Sequence, residues 1–154
     1  MCGKGFAAFA TNRQRLVSVF LRALARDLNA STPGKGVGVI GQCFTGGFAL
    51  AAAVDNSVPA PVLSQPSLPL PLTPAQRRDA GVSEPDLNAV ADRAANEGLC
   101  AMGLRFSEDK VSPRERFQTL SGCGLPRATS SPATTVPKVP AGAAPVAIRR
   151  ATVQ

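Results

Sequence analysis

Apolar positions in the first part of the chain recur at helical spacing. Leu16, Val17, Phe20, Leu21, Leu24 and Leu28 form one stripe, and Arg13, Arg15, Arg22 and Arg26 fall mostly on the polar side. Thr11 and Gln14 make a capping box ahead of the stripe, and Ser31-Thr32-Pro33-Gly34 ends it. A helix packed on the face of a sheet shows such a stripe, and that reading is favoured over a transit peptide or a membrane-surface helix. The pattern then changes period. Val37 to Ile40 is a β-branched run that predicts a strand, and Phe48 to Val54 reads as a buried helix. Val58 to Ser64 is a second apolar run. Pro59 and Pro61 in its first half confine the expected strand to Val62–Ser64. A proline-rich stretch, Gln65 to Pro74, follows. Ser83, Pro85 and Asp86 open another helix, with Leu87, Val90, Ala91 and Ala94 inward and Gly98 at its end. Leu99 to Phe106 reads as a strand. Ser112, Pro113 and Glu115 supply an N-cap, a first-turn proline and an N3 carboxylate for a last helix reaching about Leu120. Strands alternating with helices over short loops predict an α/β fold, a short parallel sheet flanked by helices. From Gly122 onward Pro, Ala, Thr, Ser and Val dominate without periodicity. Two units are therefore expected: a domain over 1–121 and a disordered tail over 122–154.

The densest chemistry lies in Gly36 to Gly47, Gly-Val-Gly-Val-Ile-Gly-Gln-Cys-Phe-Thr-Gly-Gly. A strand, an abrupt turn and a helix with a nucleophile at the apex form a nucleophile elbow. The apex residue, Cys43, is expected at positive φ. Its small neighbours Gly41, Gly46 and Gly47 fit the crowding between strand and helix. The turn exposes the sulfur and aims the next helix N-terminus at it, which favours thiolate. Two other readings compete. Cys43 could be an inert core residue, and Gly36 to Gly41 also fits the dinucleotide pattern G-x-G-x-x-G. The dinucleotide glycines should follow a strand and open a helix, whereas here the first two precede and interrupt the apolar run. Gly34-Lys35 lacks the glycine and hydroxyl residue of a P-loop.

Composition narrows the chemistry further. The 154 residues include no His, Tyr or Trp, and the net charge is +7. Without histidine, no imidazole can serve as base or metal ligand. Arg127, Lys138, Arg149 and Arg150 lie in the tail, which has no acidic residue, and account for four of the seven excess charges. No aromatic side chains interleave with them, so no nucleic-acid partner is expected. Cys2, Cys43, Cys100 and Cys123 form no C-x-x-C pair, and neither a metal nor another cofactor is expected. The chain opens without an apolar h-region, and no apolar run reaches the roughly 18 to 20 residues that span a bilayer. A cytoplasmic protein with free thiols and no membrane partner is the expectation.

The stretch from about Phe6 to Leu120 resembles the dienelactone hydrolase family of α/β-hydrolases. Three segments carry the resemblance: Gly38 to Phe48 (GVIGQCFTGGF), Pro61 to Pro69 (PVLSQPSLP) and Leu104 to Lys110 (LRFSEDK). The resemblance implies a partial α/β-hydrolase fold and a Cys-Asp-His triad that opens a small ester or lactone. In it Cys43 matches the nucleophile and Asp109 the acid, while the backbone N–H of Phe44 matches half of the oxyanion hole. The chain departs from the family at three points. Thr45 stands where the short signature has glycine. The strands preceding the match and the second oxyanion donor have no counterpart after Met1, and no histidine is present. A truncated or frame-shifted reading of such a gene would give this pattern. The expectation is a hydrolase-like protein, inactive as this chain for want of the histidine. The alternative is a non-catalytic interaction module using the Pro66 to Pro74 loop or the basic tail, and no particular partner is identified.

Overall fold

The computed structural model describes residues 16–123 and 129–131. The elements run α1 (Leu16–Ser31), β1 (Gly38–Gln42), a 3-10 turn (Cys43–Thr45), α2 (Gly46–Ala52), β2 (Ala60–Ser64), α3 (Pro74–Arg78), α4 (Glu84–Asn96), β3 (Met102–Phe106), α5 (Arg114–Gly122) and β4 (Thr129–Ser131). The strands form one sheet in the order β1-β2-β3-β4, and every pairing is parallel. The class is α/β, as the alternating pattern predicts.

Thr129–Ser131 pairs with Leu104–Phe106, inside the stretch expected to be disordered from Gly122. The free edge of β3 offers unpaired backbone groups, and a short strand with no apolar signal can satisfy them. Residues 124–128 and 132–154, with most of the basic tail, lie outside the described residues, as does the Thr11–Gln14 capping box.

Strand geometry explains where the core sits. Val39 pairs with Pro61, and Gly41 pairs with Leu63, which pairs with Gly103. These residues point to one face and are buried or half-buried. Against them α2 and α4 bring Leu50, Ala51 and Val90, joined by Val58, Leu99, Phe117 and Leu120. The intervening row points the other way: Ile40, Val62 and Met102 share a register, and Ile40 is 74 % exposed. Parallel sheets ordinarily bury both faces. Among the described residues, this one buries one.

Two expectations shift for identifiable reasons. First, β2 begins at Ala60 and includes Pro61. The N–H of Gln65 donates to Leu104 O, and Cys100 N–H donates to Pro59 O. Odd-numbered residues of β2 therefore face β3, and the donor missing at Pro61 falls where β3 has not yet begun. Second, the apolar stripe of α1 does not pack on the sheet. Leu16 is 82 % exposed, and Val17, Phe20, Leu24 and Leu28 are exposed too. Leu21 is the member of the stripe that packs against the core, and the helix docks beside it through buried Ser18 and Ala25. Arg22 Nε donates to Ala51 O at 2.8 Å and Arg22 pairs with Asp86 at 2.7 Å, while Arg26 pairs with Asp55 at 2.5 Å. Small residues permit close approach and the arginine anchors fix the rotation, so the expected polar side carries the docking contacts.

Side-chain caps set the remaining boundaries. Ser83 Oγ accepts the N–H of Asp86 to start α4. Near its end, Arg93 donates to the carbonyls of Ala53, Asp55 and Val58, taking up acceptors just past α2. Helix α3 is additional to the expected elements. Thr73 and Gln76 form its reciprocal capping box and Pro74 opens it. Helix α5 starts one residue late: its N-cap is Pro113. The Ser112 hydroxyl, expected to cap it, is buried and has no hydrogen-bond partner among the described residues.

Candidate active site

Strand β1 ends at Gln42, and the chain reverses into α2 within one 3-10 turn. Cys43 stands at the apex with φ of 54°. For a residue with a Cβ this left-handed conformation costs about 1 to 2 kcal/mol, so the surroundings must enforce it. The glycines show how. A Cβ on Gly41 would overlap the carbonyl oxygen of Thr45 and come within 2.9 Å of Ala49 Cβ. One on Gly46 would come within 2.5 Å of Pro66 Cβ. Thr45, where the resemblance would place glycine, closes the turn itself: its Oγ1 accepts from Gln42 N–H at 2.8 Å and donates to Gln42 O at 2.7 Å. Cys43 is exposed, which removes the buried-core reading. Gly36 to Gly41 run into and along β1, and α2 starts only at Gly46, so the dinucleotide geometry is not present.

The sulfur has a partner that the sequence did not suggest. Ser67 Oγ lies 3.3 Å from Cys43 Sγ, and Ser67 N–H donates to Cys43 O at 3.0 Å. Ser67 itself is only 6 % exposed. It sits just past β2, where Gln65 is the other non-glycine residue at positive φ among those described, at 50°. Parallel strands bring all their carboxyl ends to one edge, which is where α/β sheets build sites. Cys43 and Ser67 meet there from adjacent strands.

The loop bearing Ser67 is held from below by Arg116 on α5, which is fully buried. Its Nη1 donates to Pro66 O at 2.5 Å, Nη2 to Pro69 O at 2.6 Å and to Gln76 O at 3.0 Å, and Nε to Asp79 O at 2.6 Å. Burial pushes the guanidinium pKa down to about 10, and the nearby Asp79 charge works in the other direction. Arg77 forks onto Glu115 at 2.8 and 3.3 Å, binding α3 to α5. The Arg77 hydrogen bond holds the Glu115 carboxyl below its ordinary value. Pro66 and Pro69 are buried with their carbonyls occupied. This half of the loop cannot offer the open polyproline surface that a docking module requires.

Asp109 follows β3 on the same edge, but its role here is local. Its Oδ1 accepts the N–H groups of Val111 at 2.8 Å and Ser112 at 3.0 Å, which shapes the start of α5 in place of a serine cap. Two strand spacings separate β1 from β3, roughly 10 Å, too far for a direct carboxylate–sulfur hydrogen bond. In a triad the imidazole spans that gap, and this chain has none. Phe44, whose N–H the resemblance assigns to the oxyanion hole, lies within the turn and is half exposed. No group of three or more metal-ligating side chains occurs among the described residues, and none of their helices is long and apolar enough to cross a membrane. A 240 Å³ cavity between Asp79, Val82, Glu84, Leu87 and Thr119 is not lined by Cys43, Ser67 or Asp109.

Ser67 and Arg116 are the residues that reading the sequence missed. A serine between prolines carries no motif, and an arginine in a short helix is ordinarily solvated. One signal was available: a proline-rich loop without regular pairing leaves carbonyls that need donors from elsewhere.

Fold and site together define a small parallel α/β domain with a cysteine at a strand-to-helix elbow. No protein-family model matches the chain, and comparison with curated proteins and with solved structures gives no match either.

Proposed function

We propose that this chain is a partial α/β-hydrolase-type domain of the dienelactone hydrolase kind, in which Cys43 accepts an acyl group from an ester or lactone but does not turn over. The observation that carries the reading is the exposed Cys43 at φ 54°, between a parallel strand and a helix. A strained apex, glycines at the two close approaches and a position at the carboxyl edge of the sheet are what a nucleophile elbow requires.

The chemistry divides at the acyl-enzyme. Sulfur attacks the carbonyl carbon, the carbon–oxygen bond to the leaving group breaks, and the thiol proton reaches the departing oxygen through solvent. A thioester and an alcohol result, and no cofactor takes part. Hydrolysis of the thioester then needs a base to activate water. The chain has no histidine, and Asp109 Oδ1 is committed to two backbone N–H groups. Loss of one triad member leaves roughly 10³ to 10⁴-fold catalysis over water, through the oxyanion hole and binding alone.

The test is burst stoichiometry with a chromogenic ester. Alcohol release should stop after a burst of no more than about two equivalents per chain, with the acyl group captured first on Cys43 and the burst absent in Cys43→Ala. Sustained turnover that Cys43→Ala abolishes would refute the missing deacylation. Labelling confined to Cys100 or Cys123 would refute the nucleophile.

A further inference from the structure

The neighbour of Cys43 suggests where an acyl group goes once loaded. Ser67 Oγ is 3.3 Å from the sulfur, and the sulfur is the hydrogen-bond partner found for that hydroxyl. Ser67 is more than nine-tenths buried, and its hydroxyl faces the sulfur of Cys43, a residue that is itself exposed. The Ser67 N–H bond to Cys43 O at 3.0 Å couples the backbones, so the two side chains cannot drift apart independently. Pro66, next to Ser67, presses against Gly46 and gives its carbonyl to Arg116. Ser67 is thus fixed from three sides.

We propose that Ser67 is a second acyl acceptor: a small acyl group captured by Cys43 passes to Ser67 Oγ, leaving a stable oxygen ester on the chain. This rests on the nucleophile reading above and supplies the step that follows it. The Ser67 oxygen attacks the thioester carbonyl carbon, the carbon–sulfur bond breaks, and the serine proton ends on the Cys43 sulfur. One thioester and one hydroxyl become one thiol and one ester, so no water, oxidant or outside base is consumed. A thiol is the better leaving group of the two, which drives the transfer towards serine. Holding the acceptor against the donor replaces a bimolecular encounter, and well-aligned intramolecular pairs reach effective concentrations on the order of 10⁵ M or more. In a chain without an imidazole, this route competes with slow hydrolysis. Cys43 is regenerated while Ser67 is consumed, so a second acyl group can load only on the cysteine.

The experiment loads the full-length protein with a small acyl group from p-nitrophenyl acetate, removes the reagent and follows the acetyl group by peptide mass mapping. Neutral hydroxylamine distinguishes the two products, since it cleaves thioesters readily and spares oxygen esters. The expected result is a hydroxylamine-labile acetyl on the Cys43 peptide that declines as a resistant acetyl on the Ser67 peptide rises with the same half-time. Ser67→Ala should keep the label on Cys43 at least tenfold longer, and Cys43→Ala should leave Ser67 unlabelled. A thioester that forms on Cys43 and never reaches Ser67 overturns the transfer alone. Ser67 acetylated equally in Cys43→Ala also overturns it, because capture would then be direct. No acetyl on Cys43 at any time overturns the nucleophile reading itself.

Discussion

Arg116 offers the most exacting test of how this site is held. Its guanidinium is fully buried and donates to four carbonyls, those of Pro66, Pro69, Gln76 and Asp79. Replacement by methionine keeps most of the apolar stem, so the packing loss is small. What is lost is the donor set. Orphaning a carbonyl away from water costs about 1 kcal/mol at the low end, so four together amount to about 4 kcal/mol. Relief of the buried charge returns part of this, and a net loss of about 3 kcal/mol is the expectation. A domain of this size is stable by roughly 5 to 15 kcal/mol, so the change is large, equivalent to at least about 10 °C in Tm. Lysine restores the charge but not the planar fork, and three donors on one nitrogen cannot reach four carbonyls spread around it. Arg116→Lys should therefore recover less than half of the loss. Urea unfolding followed by circular dichroism measures both, with exposed Arg114→Met as a control expected within about 0.5 kcal/mol of the parent. The alkylation rate of Cys43 supplies a second readout, since the loop that carries Ser67 should loosen. An Arg116→Met protein within 1 kcal/mol of the parent would refute the claim that this side chain organises the loop.

Other substitutions probe the elbow and the sheet. Gly41→Ala and Gly46→Ala should each destabilise by more than about 2 kcal/mol through the close approaches at those positions. Gly38→Ala, with nothing near its added Cβ, should be neutral, and denaturant midpoints compare all three. Cys43→Gly should be more stable than Cys43→Ala by about 1 kcal/mol, because glycine adopts a φ of 54° without penalty; equal midpoints would argue against the strained apex. Leu63→Ala should cost about 2 to 5 kcal/mol, whereas Ile40→Thr on the open face should change stability by no more than about 0.5. For acid stability, burial of Asp55 alone would raise its pKa, but hydrogen bonds from Ser57 Oγ, Ser57 N–H and Arg26 outweigh that and hold it below the ordinary 3.8. A depressed folded pKa means the contribution is present above the unfolded value and is lost as pH falls through the folded one. Stability should therefore decline below about pH 4, and Asp55→Asn should flatten that decline in a pH series of thermal melts.

What was legible in the sequence is what is written locally. Gly41, Gly46 and the β-branched run before Cys43 announce the elbow because the constraint acts within a few residues. Ser83 and Pro85 announce α4 for the same reason. Thr73-Pro74-Ala75-Gln76 announced α3 just as openly, but its prolines read more loudly as a loop. Features set at a distance were not legible. The rotation of α1 depends on Arg22 and Arg26 reaching residues 29 or more positions away in the chain, and a hydrophobic stripe cannot register those bonds. Likewise Arg116 and Pro66 are 50 residues apart, and Cys43 and Ser67 are 24.

The arginines point to a common physical cause. Arg22, Arg93 and Arg116 each turn inward to hydrogen-bond backbone carbonyls, at the end of α2, in the turn after it and in the loop after β2. Helix α2 ends in a turn through Asp55, and the loop after β2 runs nine residues, 65–73, before α3 begins. Both segments must give their acceptors to something, and a five-donor fork meets several at once. Leu16 and Phe20, on the side of α1 that its arginine anchors leave outward, lie on the surface. The same rule that burdens the surface builds the site. Arg116 beneath the loop, together with the Ser67 N–H bond to Cys43 O, keeps Ser67 against the sulfur of Cys43. The reactive pair is therefore as much a product of α5 as of the elbow that displays it.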